Sequence, residues 1–167
     1  MGFYVNTTDF TGKYAISQGI YSNLDINDYI SKYELTYLVE LLGVELYNLY
    51  YADANAQLNK IPLTPIYSFI YNPFNYQDNY TLMLSKGLKE MLIGFIYFEY
   101  MRDGIATATI TSMQNQKNEN SQKNILPIYT RYNEAIITYR AIQDYIITNK
   151  QDYLTFKGVN KEFAYWL

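Results

Sequence analysis

The 167-residue chain contains no cysteine and no histidine. The first absence excludes a disulfide framework and thiolate metal sites; the second removes the commonest metal ligand and the usual general base near neutral pH. Glycine-rich phosphate loops are missing too, since neither G-x-G-x-x-G nor G-x-x-x-x-G-K-[ST] occurs. A serine nucleophile would need a lysine base, but Ser85 and Lys86 are adjacent, and adjacent residues on a helix point in different directions. Glu99 and Asp103 form a carboxylate pair at i, i+4, which is short of the ligand number a metal site requires. No catalytic residue, cofactor or metal is expected.

Positive charge is sparse. The net charge is -3, and Met1 to Asn75 holds three Lys against seven Asp and Glu, which disfavours a nucleic-acid-binding surface. The most apolar run, Met91 to Phe98, stops at Glu99, far short of the ~20 residues that span a bilayer. The opening "MGFYVN" has neither the basic start of a signal peptide nor the Ser or Thr of a myristoylation site, and a cytosolic setting is the simplest fit. The sequons at Asn6 and Asn79 are then chance matches.

What is abundant is tyrosine, 21 of it beside 8 Phe, in a chain that is 49% hydrophobic and only 17% charged. That balance marks a folded domain with a real core. The tyrosines admit two accounts, one filling the core and one forming an interface, where a ring with a water-tolerant hydroxyl is favoured.

Periodicity orders the chain. Residues 1–24 show no helical stripe and read as an extended N-terminal arm, with a strand around Lys13 to Ile16. A helix starts after the N-cap Asp25, carries Ile30, Tyr37, Leu38 and Leu41 on one stripe, and meets Gly43 as a cap or bend. A second helix runs from Val44 to about Gln57. Thr64 and Pro65 open a short helix to Tyr71, followed by loop to Asn79. From about Leu82 to Asp103 the chain is apolar almost all round, the mark of a central helix, with Gly87 and Gly94 placed to admit a neighbouring backbone. The Ile- and Thr-rich residues near 105–112 suit a short β-like segment, and Gln114 to Asn124 is a polar loop. A last helix spans roughly Ile125 to Lys150, with Arg140 and Asp144 able to pair, before a C-terminal tail. The expected architecture is all-α: a four- to five-helix antiparallel bundle over 25–150, flanked by the arm 1–24 and an extended tail 151–167.

Several stretches, in order, resemble a known family: "TDFTGKYAISQGIYSNLDINDYISKYE" from Thr8, "YLVELLGVELYNLY" from Tyr37, "NPF" from Asn72, "SKGLKEMLIGFIYFEYMRD" from Ser85 and "YNEAIITYRAIQDYI" from Tyr132. The chain is similar there to head-to-tail connector (neck ring, head-completion or adaptor) proteins of tailed bacteriophages, particularly crAss-like and other Bacteroidetes phages. The resemblance implies a non-enzymatic virion protein, assembled in the bacterial cytoplasm, whose copies close into a ring matching the portal, about twelvefold. Portal protein and other neck or tail proteins would be its partners, with DNA passing through the lumen without specific binding and no membrane involved. On that reading Phe10, Tyr14, Ile16 and Tyr21 of the arm and Phe163, Tyr165 and Trp166 of the tail contact subunits or partners. Gln114, Asn115, Lys117 and Asn118 face the channel. Deleting Met1 to Leu24 is expected to leave a folded helical monomer that no longer forms rings. The rival readings are a small helical regulator or inhibitor that binds one protein through a tyrosine-rich face, and a hydrolytic or metal-dependent enzyme built on the carboxylates.

Overall fold

The computed structural model describes residues 2–16, 25–78, 81–112 and 125–164, and the side chains of all of these except 106–112 and 125–126. Five α-helices and one two-stranded antiparallel sheet lie among them: α1 (Ile26–Leu42), α2 (Val44–Asn55), α3 (Pro65–Tyr71), β1 (Phe74–Gln77), β2 (Leu82–Ser85), α4 (Leu88–Ser112) and α5 (Ile125–Thr148). No described helix is long and apolar enough to cross a membrane.

The start of α1 is set by Asp25, whose carboxylate accepts the Asn27 amide at 2.8 Å. Its end is set by Gly43, which sits at φ +80, a conformation costly for residues with a Cβ, and donates its amide to the Val39 carbonyl. The same glycine opens α2. Pro65 occupies the first turn of α3 after an extended Thr64. Asp53 fastens that entry, accepting the Leu63 and Thr64 amides and the Thr64 hydroxyl at 2.6–3.0 Å.

Helix α4 is the centre of the fold. Leu88, Met91, Leu92, Phe95, Ile96 and Phe98 are all buried, as an all-round apolar helix requires, and α4 packs against both α1 and α5. Gly94 lets α5 approach: a methyl group at its Cα would lie 3.0 Å from Ala135 Cβ and 3.3 Å from the Arg131 carbonyl.

Four expectations need correction. The chain after Asn72 is not loop, and Leu82 does not begin a helix: Phe74–Gln77 pairs with Leu82–Ser85, Phe74 opposite Ser85. Gly87 lies ahead of α4 at φ +89, pressed against Pro73, and shares no helix face with Gly94. The β-like segment near 105–112 is the continuation of α4 to Ser112. Gly104 is buried inside that helix and does not stop it, and the helix cost of Ile and Thr is only a few tenths of a kcal/mol each, which an uninterrupted helix absorbs. Finally, the described part of the N-terminal arm is neither extended nor a strand. It forms 3-10 turns at Thr7–Asp9 and Gly12–Tyr14 and buries Tyr4, Val5, Phe10 and Tyr14 in the common core.

Candidate interaction surfaces

Both chain ends are docked on the helices through side chains that grip backbone. At the amino end the acceptor is Glu34, a buried residue on the inner face of α1. Its carboxylate accepts three successive amides, from Phe3 at 2.7 Å, Tyr4 at 3.2 Å and Val5 at 2.9 Å. Burial pushes the Glu34 carboxyl upward in pKa while these amides pull it back. Gly2 runs so close that a Cβ there would lie 2.3 Å from Glu34 Oε2. The Lys60 ammonium stands 4.4 Å over the Phe3 ring, which also packs 4.7 Å from Tyr51. Beside this strap opens a cavity of about 220 Å³ lined by Phe3, Tyr4, Leu35, Leu38, Tyr47 and Tyr51 among others.

Further along, charge pairs tie the same segment to α4 and α5. Asp9 meets Lys89 at 2.9 Å, and Lys13 meets Glu90 at 3.0 Å and Glu134 at 2.6 Å. Glu134 also holds Lys86 and Arg131. Burial works to raise the Glu134 pKa, but hydrogen bonds from Lys13 and Lys86 outweigh it and hold the carboxyl below its ordinary range. The Tyr14 hydroxyl donates to Glu90 at 3.2 Å.

At the carboxyl end, Tyr153 is buried and donates its hydroxyl to the Ile66 carbonyl at 2.7 Å. Beyond it the tail runs along α1 and α5. The last carbonyls of a helix lack intrahelical donors. In α1 these are supplied from outside: Val159 donates its amide to Glu40 at 2.6 Å, Gln143 its side-chain amide to Leu41 at 3.1 Å, and Lys157 its amide to Leu42 at 3.2 Å. Helix α5 holds the other side of the tail. Tyr139 and Gln143 donate to the Val159 carbonyl, and Arg140 donates through Nε and Nη2 to the Lys161 carbonyl at 3.0 and 2.7 Å. Asn133 and Ala164 exchange two hydrogen bonds, at 2.8 and 2.9 Å. Arg140 thus turns to the tail, where it also meets Glu162, rather than forming the expected pair with Asp144.

The expected contact residues fall accordingly. Phe10 and Tyr14 are buried in the chain's own core, so neither is offered to a second subunit in this fold. Ile16 is half-buried against the same core, and Phe163 is half-buried under the Arg140 guanidinium, 4.4 Å from its ring. Tyr21, Gln114, Asn115, Lys117, Asn118, Tyr165 and Trp166 lie outside the described residues. Because the amino segment supplies core side chains, its deletion opens the core rather than merely removing an arm. Sequence reading missed Glu34, Asn133, Arg140 and Gln143 as backbone-gripping groups. The one available signal was a Glu lying on the apolar stripe of α1.

The polar groups weighed for chemistry are engaged structurally. Glu99 accepts the Tyr37 hydroxyl at 2.6 Å and pairs with Arg102, also at 2.6 Å. Asp103 accepts the Tyr29 hydroxyl at 2.9 Å, and burial, with Asp103 next, pushes that phenol up to about 12. The Ser85 hydroxyl accepts the Gly87 amide, while the Lys86 ammonium sits on Glu134. Among the described residues, no three acidic side chains gather as a metal site would require.

Large apolar side chains remain at the surface. Leu82 and Leu84, on the outward face of β2, are 58% and 48% exposed, and Ile137 and Ile147 of α5 are similarly open. Leu35, Val44 and Leu49 expose a further apolar set on α1 and α2. Compared with known proteins, the chain matches no family model, no curated protein and no solved structure.

Proposed function

We propose that the chain is a structural protein of a tailed-phage neck, whose copies form a ring beneath the portal, continue the DNA channel and dock the next tail component. The observation that carries this reading is a division of labour. The candidate catalytic groups Glu99, Asp103, Ser85 and Lys86 are tied into internal contacts, while Leu35, Val44, Leu49, Leu82, Leu84, Ile137 and Ile147 face outward. Scattered exposed leucines are ordinary, but Leu82 and Leu84, half-open on the same face of a short strand, suit packing against another protein surface. The resemblance of the sequence stretches quoted above is what suggests a phage neck as that assembly. The described amino segment and tail lie on the chain's own helices, so the reading draws no support from them as free arms. A net charge of -3 suits a lumen past which DNA slides without being held.

The test is the mass of the full-length protein at micromolar concentration, measured alone and with a portal ring. A closed ring in either condition is expected, and Leu82→Glu with Leu84→Glu should abolish it while leaving the helical spectrum intact. A chain that stays monomeric in both conditions overturns the proposal.

The docking of both ends favours a second reading, a compact monomer or dimer that binds one protein partner through a tyrosine-bearing face such as that of Tyr47 and Tyr51. It predicts that same monomeric mass.

A further inference from the structure

We infer that the groove between the end of α1 and the side of α5 is a seat for an extended peptide, and that it exchanges its occupant, the tail of this chain, with the tail of a second copy. The inference stands on the seat alone and does not require the neck reading. After Tyr153, none of residues 154–164 is buried, and the tail forms no regular secondary structure. Its attachment is polar and long-range: Lys157, Val159, Lys161 and Ala164 are held through backbone groups, by partners 16 or more residues distant. Phe156 and Phe163 pack against the core but are only half-buried, and a segment held mainly through polar contacts with no fully buried side chain belongs to the part of a protein that opens first.

The seat is built for backbone. The Glu40 and Leu42 carbonyls at the end of α1 take amides from the occupant, and the side chains of Asn133, Tyr139, Arg140 and Gln143 present amides, a hydroxyl and a guanidinium to carbonyls of the occupant. A second copy's tail makes the same contacts, so exchange costs the opening of the turn closed by the Phe156 amide on the Tyr153 carbonyl and the entropy of bringing two copies together. Residues 157–164 occupy the seat, so the reach comes from residues 154–156, about 10 Å when extended, and the exchanging copies lie in direct contact. Concentration decides which occupant wins. A tail on a short linker has an effective concentration of about millimolar order, so its own tail prevails in dilute solution and a neighbour's competes when copies are held side by side.

The absence of native cysteine makes the test direct. Full-length chains carrying Ile137→Cys or Glu162→Cys, both exposed positions flanking the seat, are mixed at near-millimolar concentration and joined with a short bismaleimide. Mixed dimer should exceed by at least about tenfold that from a control pair of Glu162→Cys with Leu58→Cys, and should fall with dilution. Placing Gly158→Ala on the tail donor should return the yield to the control level. One chain bearing both cysteines should close internally in dilute solution, which shows that the seat exists as described. Internal closure without mixed dimer above control overturns exchange, and failure of internal closure overturns the seat itself. Mixed dimers that never grow into rings would uphold the exchange while counting against the neck proposal, so the two ideas fail separately.

Discussion

Gly158 passes the end of α1 so tightly that a methyl group at its Cα would lie 2.1 Å from the Leu41 carbonyl oxygen and 2.6 Å from the Gln143 side-chain nitrogen. Across the same crossing, a Cβ on Gly43 would lie 2.8 Å from the Lys157 carbonyl carbon. Two glycines therefore let the tail reach the unpaired carbonyls of α1. Gly158→Ala should lift the tail and break the Lys157 and Val159 amide bonds, lowering unfolding free energy by about 2–3 kcal/mol at roughly 1 kcal/mol per hydrogen bond plus the carbonyls left unpaired. Hydrogen exchange at Lys157 and Val159 checks it: these amides should lose protection while those of α4 keep theirs. Unchanged protection would show that the tail accommodates the methyl group.

Glu34 plays the matching part at the other end. Glu34→Ala leaves three amides without their acceptor and should cost about 3 kcal/mol or more, because hydrogen bonds to a charged group are the stronger kind. Glu34→Gln keeps one carbonyl acceptor and should lose less. Limited proteolysis distinguishes the two, with cleavage within residues 2–10 appearing first in the alanine variant. Equal resistance of both variants and the parent would mean that core packing of Tyr4 and Val5 alone secures the segment.

How legible this was in the sequence follows from which rule each element obeys. Helix α1 announced itself through Asp25, its apolar stripe and Gly43, because caps and the 3.6 period are local signals. The central character of α4 was equally plain, since a helix apolar on every side has to be enclosed. The sheet was hidden because Leu82-Met83-Leu84-Ser85 is a nearly continuous apolar run, and such runs do not separate strand from helix by period. The amino segment was hidden for another reason. Its anchors Tyr4, Val5, Phe10 and Tyr14 lie in or beside short 3-10 turns and irregular chain, and Val5 and Tyr14 bond partners 29 or more residues away, so no local pattern marks them. The two backbone seats depend on Glu34 and Gln143 meeting distant chain, a tertiary fact without a sequence period.

Acid should loosen the fold through Glu134 and Asp53. Glu134 is held below its ordinary pKa by Lys13 and Lys86 against the effect of burial, and Asp53 foremost by the Thr64 hydroxyl. A carboxyl depressed in the fold contributes stability that is complete above its unfolded pKa, about 4, and is lost as pH falls through the lower folded value. Urea midpoints should therefore drop below pH of about 4. In Glu134→Gln the drop should be shallower, since that variant has already lost the charge. An identical pH profile in the variant would remove Glu134 from the account.

Base should act through the buried phenols. Tyr37 stacks on Phe95 with rings 4.2 Å apart and 10° from parallel, and donates a hydroxyl hydrogen bond to Glu99. Burial, and for Tyr37 the neighbouring Glu99, drives its pKa well above the ordinary value, and burial does the same for Tyr50, Tyr139 and Tyr153. A phenol raised in the fold favours the folded state fully below its unfolded pKa of about 10, and that contribution is lost as pH climbs from there. Ultraviolet titration should thus show a group of tyrosines that ionise only in the step where helical circular dichroism collapses. Tyr37→Phe keeps the ring stack but deprives Glu99 Oε1 of its hydroxyl donor, leaving Oε2 on Arg102, and should lower stability by about 1–3 kcal/mol at neutral pH. If all tyrosines ionised with the helices intact, the aromatic interior would be open to hydroxide, and the burial of these rings in the core would be refuted.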